Sequence, residues 1–214
     1  MNYLDTDIRY CKGIGEKKAL LFNKLGVFNV RDLVSYFPRK YEDRSSFKPI
    51  ALTCDGETVC INALAAEDAR LVRIRRGLEL VKFRVVDESG SVDITFFNQP
   101  YIKNNIHRGD CLNIYGKIIG VGGKRTMTNP VIEREGTVGG VTGRIVPVYR
   151  LTTGLSQKLI MSAVRQALDA SAAELPEVLP ESLRKKYKLA QTGYAYENIH
   201  FPASFEELER GRSR

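Results

Sequence analysis

The pattern of apolar and polar positions changes twice along the chain and divides it into three segments. Residues 1–48 carry apolar side chains at helical spacing, and residues 50–137 alternate with the two-residue period of strands. Residues 138–214 begin extended, become helical, and end in a charged tail. The pattern predicts an α+β protein in which helices flank a central β domain.

Two short helices are predicted in the first segment. The first follows a Gly-Ile-Gly hairpin at residues 13–15, runs over residues 16–25, and ends before Gly26, a typical C-terminal glycine. The second is capped by Asn29, with Asp32 three residues later as a variant of the capping box.

The middle segment predicts five strands with a helical insert after the third. The strands cover residues 58–66, 78–87, 92–97, 112–121 and 124–132, and the insert covers residues 99–106. This order is typical of a five-stranded OB-fold barrel, and a generic β-sandwich is the alternative.

The last segment predicts a short extended stretch followed by helices. Residues 143–149 are expected to be extended, and Ser156 to cap a helix that ends near Ala170. Another helix is expected over residues 181–188.

The basic composition of the chain favours a polyanionic partner. The chain has 33 Lys and Arg against 25 Asp and Glu, a formal net charge of +8, which favours nucleic acid. No run of 18 apolar residues and no signal-peptide pattern occurs, so we expect a soluble, cytoplasmic protein without membrane contact. The four cysteines lack zinc-ligand spacing and are expected to be buried thiols.

No motif in the sequence supports catalysis. The Gly-Lys pairs at residues 116–117 and 123–124 lack the earlier glycine and the following Ser or Thr of a nucleotide-binding loop. Paired-histidine metal motifs and a nucleophile elbow are also missing. We therefore predict no catalytic residue, no metal site and no cofactor in this chain.

The Gly13–Gly15 hairpin is the first candidate for binding. Glycines let backbone N–H groups approach a phosphate, and the start of the next helix adds partial positive charge. Lys17 and Lys18 follow it. The residues fit a helix-hairpin-helix-like phosphate contact, and an ordinary turn is the alternative.

Two basic loops of the predicted barrel form the second candidate. Four arginines lie in the expected loop between strands one and two, two cations in the loop between strands four and five, and one lysine on the insert. The predicted phosphate contacts are Arg70, Arg73, Arg75, Arg76, Lys124, Arg125 and Lys103. Solvated hairpin tips are the alternative.

The third candidate is aromatic. Alternation in the third strand points Phe96 toward the core and Phe97 outward, and Tyr101 follows four residues later. Phe97 and Tyr101 could stack on nucleobases, or they could cover a minor apolar cluster against a neighbouring helix.

Three stretches together resemble the N-terminal, wedge-containing region of RecG, a family of ATP-dependent branched-DNA helicases. They are KGIGEKKALLFNKLGVFNVRDLVSYFPRKYEDRS (12–45), GRIVPVYRLTTGLSQ (143–157) and IHFPASFEELERGR (199–212). The resemblance covers nearly the whole chain. It implies an OB-fold wedge that splits the arms of forks and four-way junctions while two motor domains pull duplex DNA, in fork reversal and branch migration during repair and recombination.

The resemblance also implies roles and partners. Phe97 and Tyr101 are the positions that best fit the family's base-stacking aromatics. Branched DNA is the implied partner, with single-strand-binding protein as a further one, and ATP and Mg²⁺ as cofactors of the longer helicase. The chain is expected to be a monomer.

The sequence departs from the family because no Walker-type motif occurs up to Arg214. We therefore expect a fragment or a naturally shortened protein, with domains at 1–48, 50–137 and 138–214, that binds DNA and hydrolyses no ATP. Two other classes remain open: an interaction scaffold in which the barrel binds an acidic peptide, and a stand-alone nuclease or hydrolase, which no metal or nucleophile cluster supports.

Overall fold

A computed structural model describes residues 2–121, 123–137, 140–172 and 174–214. The chain forms two compact units, one made of residues 1–42 and 145–214, which we call the helical unit, and one of residues 43–144, which we call the barrel unit. Most of the first and last segments of the sequence therefore share one unit. The division at 1–48, 50–137 and 138–214 stays a prediction.

Strands and helices are numbered separately, each in chain order. The strands are β1 (Lys40–Asp43), β2 (Thr58–Ala65), β3 (Arg70–Arg75), β4 (Leu78–Val86), β5 (Ser91–Phe97), β6 (Cys111–Val121), β7 (Lys124–Thr128), β8 (Val131–Arg134) and β9 (Ile145–Val148). The α-helices are α1 (Glu16–Asn23), α2 (Val30–Val34), α3 (Gln157–Ser171), α4 (Glu181–Tyr187), α5 (Thr192–His200) and α6 (Phe205–Arg212). Single turns of 3-10 helix cover Tyr3–Asp5, Ile8–Tyr10, Ile50–Leu52 and Pro100–Asn104.

Five strands of the barrel unit close into a barrel. They run in the order β2-β4-β5-β7-β6, and β6 pairs with β2 to complete the circle. The β5–β7 pair is parallel, and the other four pairs are antiparallel. A β-sandwich would leave open edges here, so the closed pairing confirms the predicted five-stranded OB-type barrel flanked by helices.

Alternating side chains fill the inside of the barrel. Phe83 lies opposite Ile94, and Ile94 lies opposite Met127, and all three are fully or almost fully buried. Ile61 and Ile114 close the core from the β2–β6 pair. This two-residue period is the signal that made the barrel predictable.

Two parts of the barrel differ from the expectation. Residues 70–75, expected to be a loop, form β3, which pairs with β4 outside the barrel circle. Of its side chains only Leu71 packs against the core. The sequence of this strand therefore lacks the alternation of apolar and polar residues that would have identified it. The expected fifth strand is interrupted between β7 and β8, because Asn129 adopts a left-handed conformation and Pro130 has no N–H group to donate.

The helical unit confirms the predicted caps. Asn29 and Asp32 form the reciprocal capping box of α2, and the Ser156 side chain accepts a hydrogen bond from the N–H group of Leu159 at the start of α3. The charged tail is helical, since residues 192–212 form α5 and α6. The high charge of α6 obscured its single buried apolar side chain, Leu208. No helix in the described part of the chain is long and apolar enough to cross a membrane.

Candidate nucleic-acid interface

Two aromatic side chains are exposed where β5 ends. Phe96 is buried in the barrel, whereas 41% of Phe97 and 62% of Tyr101 are exposed. Strand alternation explains the contrast between Phe96 and Phe97. Tyr101 lies on the 3-10 helix that follows the strand. The expected outward placement of both rings agrees with the structure, and their role in stacking stays a prediction.

Backbone hydrogen bonds fix the position of Phe97. Its N–H group donates to Oδ1 of Asn129 at 2.9 Å. The neighbouring Asn98 donates its N–H group to the Glu79 carbonyl and accepts from the Glu79 N–H group at 3.0 Å. Asn98 and Asn129 both adopt positive φ angles, which Asn tolerates better than most residues. These two asparagines were missed in the sequence, although asparagine beside a predicted strand end is a turn signal.

The hydroxyl of Tyr101 donates to Oε1 of Gln99 at 2.7 Å. Gln99 also approaches Asn129 Oδ1, at 3.4 Å. One polar network therefore links the two aromatic residues through the Phe97 N–H group and the Tyr101 hydroxyl.

The arginines at residues 70–76 line the β3–β4 hairpin. Arg70 pairs with Glu67, and Arg73 Nε lies 2.8 Å from Glu79 Oε1. No ion pair involves Arg75 or Arg76 within the residues that the structure describes. Their guanidinium groups are therefore available to a negatively charged ligand.

A surface pocket of about 590 Å³ lies between this hairpin and the turn that follows Phe97. Its lining includes residues 73–77 of the hairpin on one side and Asn98 and Pro100 on the other. The structure thus brings the predicted arginines next to the turn between Phe97 and Tyr101.

The second basic hairpin lies elsewhere on the barrel. Arg125 is level with Val92 at the beginning of β5, whereas Phe97 lies at its end, about 17 Å away along the strand. Arg125 Nη2 donates to the Ala51 carbonyl at 3.0 Å. Lys124 and Arg125 are therefore separated from the aromatic rings by the length of β5. Lys103 is exposed on the 3-10 helix that carries Tyr101.

Lys82 is a cation that the site prediction omitted. It lies on the outer face of β4, directly opposite Arg70 on β3 and Thr95 on β5. Two like charges facing each other across a strand pair are destabilising. The alternation of β4 already pointed Lys82 outward, so this residue could have been found from the sequence.

The Gly13–Gly15 hairpin begins α1, but it is preceded by the 3-10 turn Ile8–Tyr10 and not by an α-helix. Gly13 has a φ of +84°, and Gly15 caps α1 without a side-chain bond. Lys18 Nζ donates to the Gly13 carbonyl at 2.8 Å, whereas Lys17 is exposed. Lys18 thus stabilises the turn, and phosphate binding there stays a prediction.

An aromatic cluster with a buried Tyr149–His200 pair at its centre lies in the helical unit, and all three family-like stretches contribute to it. The Tyr149 hydroxyl lies 2.9 Å from His200 Nδ1, and His200 Nε2 lies 2.7 Å from the Val34 carbonyl. Tyr36 and Phe37 pack on Tyr149 and His200 respectively. These stretches therefore build the helical unit, while the barrel carries the candidate interface.

Burial gives His200 a defined protonation state. Its ring is fully buried, and desolvation lowers its pKa from 6.5 to about 4. The Val34 carbonyl can only accept, so Nε2 carries the proton and Nδ1 accepts from Tyr149. Burial also raises the pKa of Tyr149, which keeps this hydroxyl protonated.

The cysteines form no metal site. Within residues 2–121, 123–137, 140–172 and 174–214, no three His, Cys, Asp or Glu side chains gather as metal ligands would. Cys60 is buried, but Cys54 and Cys111 are exposed, so the expectation of four buried thiols was wrong.

The closed barrel topology defines an OB-fold protein. The family model of the RecG wedge domain matches residues 7–170, and the chain therefore belongs to the RecG wedge domain family.

Known relatives agree with this assignment. The ATP-dependent DNA helicase RecG of Thermotoga maritima is 30% identical over 99% of this chain, which covers 27% of that protein. Its Bacillus subtilis counterpart is 29% identical over 98% of the chain and is covered to 30%. A solved structure of RecG bound to a three-way DNA junction superimposes with a TM-score of 0.89 and 30% identity, over 99% of this chain and 29% of that one. The chain thus spans less than a third of the length of these relatives.

Proposed function

We propose that this chain is the branched-DNA-binding wedge region of a RecG-type ATP-dependent helicase. The observation that carries the proposal is the exposed pair Phe97 and Tyr101 on an OB barrel, joined by a turn whose Asn98 and Pro100 face the arginine hairpin across a pocket. Membership of the RecG wedge family supports it, as does the similar fold of the RecG bound to a three-way junction.

The geometry supports strand separation by stacking. The end of a DNA duplex exposes the faces of its last base pair, and flat rings can cover those faces at a gain of about 1–3 kcal/mol per base. Phe97 and Tyr101 would replace the stacking that the bases lose at the branch point. The network around Asn129 and Gln99 fixes both residues before DNA arrives, so little ordering cost remains on binding.

The cations would position the DNA without reading its sequence. Arg73, Arg75 and Arg76 can contact phosphates next to the aromatic rings, and Lys124 with Arg125 can contact them at the far end of β5. Two separated sets of phosphate contacts suit a ligand whose arms diverge from one point.

The longer helicase would supply the rest of the activity. The present sequence has no loop of the type that cradles nucleotide phosphates. ATP and Mg²⁺ would therefore bind to the motor domains of the longer helicase. The wedge would then act in fork reversal and branch migration in the cytoplasm, as a monomer, with single-strand-binding protein as a further partner.

Fluorescence anisotropy with labelled DNA tests the proposal. We expect the chain to bind a fork more tightly than a duplex of equal length, at both 50 and 200 mM salt, with affinity falling as salt rises, as it does for phosphate contacts. Equal affinity for fork and duplex would refute the wedge function. Displacement of the fork by an acidic peptide, with no effect of Phe97→Ala and Tyr101→Ala, would favour the protein-interaction scaffold instead.

A further inference from the structure

The β3–β4 hairpin extends the barrel without taking part in its closure. β3 pairs with β4 alone, and only Leu71 of the hairpin strand packs against the core. Barrel closure and core packing therefore do not account for the other side chains of this strand.

One of these side chains is Ile74, which is 55% exposed at the hairpin tip. A register shift between Arg73 and Arg75 places Ile74 in a β-bulge. Bulges redirect side chains and often lie next to functional sites. An exposed β-branched side chain between arginines suits a ligand with both apolar and anionic parts.

The pocket beside Ile74 is lined by both cationic and apolar groups. Arg75 and Arg76 line it without an ion pair among the described residues, and Ile74 supplies an apolar surface. Across the pocket, Asn98 and Pro100 belong to the turn that joins Phe97 to Tyr101. A strand whose last paired base stacks on these rings would meet the pocket with its next nucleotide.

We infer that the pocket between the hairpin tip and the Asn98–Pro100 turn receives the first unpaired nucleotides of one DNA strand. Ile74 contacts the base or sugar, and Arg75 and Arg76 contact the flanking phosphates. This inference rests on the proposed wedge function and adds to it a route for a separated strand.

The salt dependence of binding distinguishes this role from general attraction to DNA. Each phosphate contact on a single strand contributes about 0.7 to the slope of log affinity against log salt concentration. Replacing Arg75 and Arg76 by Ala should therefore reduce the slope by about 1.4 for a fork with a single-stranded arm. It should leave the slope for a blunt duplex unchanged. The double variant Lys24→Ala with Lys158→Ala removes two exposed cations from the helical unit and is the charge-matched control.

Ile74→Ala tests the apolar contact. We expect about fivefold weaker binding of the same fork, and no change with Ile119→Ala, which removes an equivalent exposed side chain (41% exposed) from β6. Both isoleucines are partly exposed, so the melting temperatures should match that of the wild type.

The inference is overturned if the wild type prefers the fork while Ile74→Ala and the arginine variant behave like their controls. Equal loss of slope on fork and duplex would also overturn it, because the arginines would then bind duplex backbone. An acidic peptide that displaces the fork from the wild type but not from the arginine variant would assign the pocket to a protein ligand. Loss of fork preference in the wild type itself would instead refute the wedge function.

Discussion

Two aromatic groups in this molecule have similar chemistry and opposite surroundings. His200 and Tyr149 at the centre of the first group are buried, and both ring nitrogens of that histidine have partners inside the helical unit. Phe97 and Tyr101 are exposed on the barrel unit, and their partners hold the backbone and the hydroxyl but not the ring faces. The buried cluster therefore contributes to folding, whereas the exposed pair retains apolar surface for a ligand.

The largest expected effect comes from disrupting the buried cluster. His200→Ala leaves a cavity and removes the partners of the Tyr149 hydroxyl and the Val34 carbonyl. We expect the free energy of unfolding, measured by urea denaturation, to fall by about 4 kcal/mol. His107→Ala is the matched control, since 61% of the His107 side chain is exposed and its loss should cost about 0.5 kcal/mol or less. Similar costs for the two variants would contradict the assigned role of His200.

Acid should destabilise the protein through the same residue. The pKa of His200 is about 4 in the folded state and 6.5 in the reference state, so between these values the unfolded chain binds the proton more readily. Stability from this group is complete above about pH 6.5 and is lost as the pH falls toward 4. We expect a loss of about 2 kcal/mol between pH 7 and pH 5. In the His200→Ala variant this part of the pH dependence should disappear, and its persistence would refute the explanation.

A smaller effect is expected from replacing Asn129, whose side chain accepts a hydrogen bond from the Phe97 N–H group. Asn129→Ala removes the acceptor of the Phe97 N–H group and places Ala at a positive φ angle. We expect a loss of about 1 kcal/mol in stability and about threefold in fork affinity. Asn129→Gly removes the acceptor but relieves the backbone strain, so it should recover part of the stability and none of the fork affinity. Full recovery of fork binding by Gly would show that the hydrogen bond does not matter.

The smallest effects are expected at the Gly13–Gly15 hairpin. Lys18→Ala removes a partly solvated hydrogen bond to the Gly13 carbonyl and should cost about 0.5 kcal/mol of stability. Lys17→Ala should leave stability unchanged. If the hairpin contacts duplex phosphate, Lys17→Ala should lower the salt-dependence slope for duplex DNA by about 0.9. An unchanged slope would leave the hairpin with a structural role alone.

The sequence predicted those parts of the fold that depend on local patterns. Alternation located the barrel strands, and the caps at Asn29 and Ser156 located two helices. The sequence did not predict β3, because a strand outside the barrel circle buries too few side chains to produce an alternating pattern of apolar and polar residues. It also missed α6, whose single buried apolar residue lies among charges.

The candidate site was predictable in composition but not in arrangement. Alternation alone placed Phe97 outward. The distance between the two basic hairpins depends on which end of β5 each hairpin lies beside. Only the parallel β5–β7 register shows that Arg125 lies beside the beginning of β5. The role of His200 was not visible either, because its partners Val34 and Tyr149 are distant in sequence.

The central claim is that exposed rings on the barrel recognise a DNA branch point. The most direct test measures fork and duplex affinity for the double variant Phe97→Ala with Tyr101→Ala, beside Tyr10→Ala as an exposed aromatic control from the helical unit. We predict that the double variant loses about 10- to 100-fold in fork affinity, with duplex affinity and melting temperature unchanged and with no effect in the control. A double variant that still prefers the fork as strongly as the wild type would contradict the account.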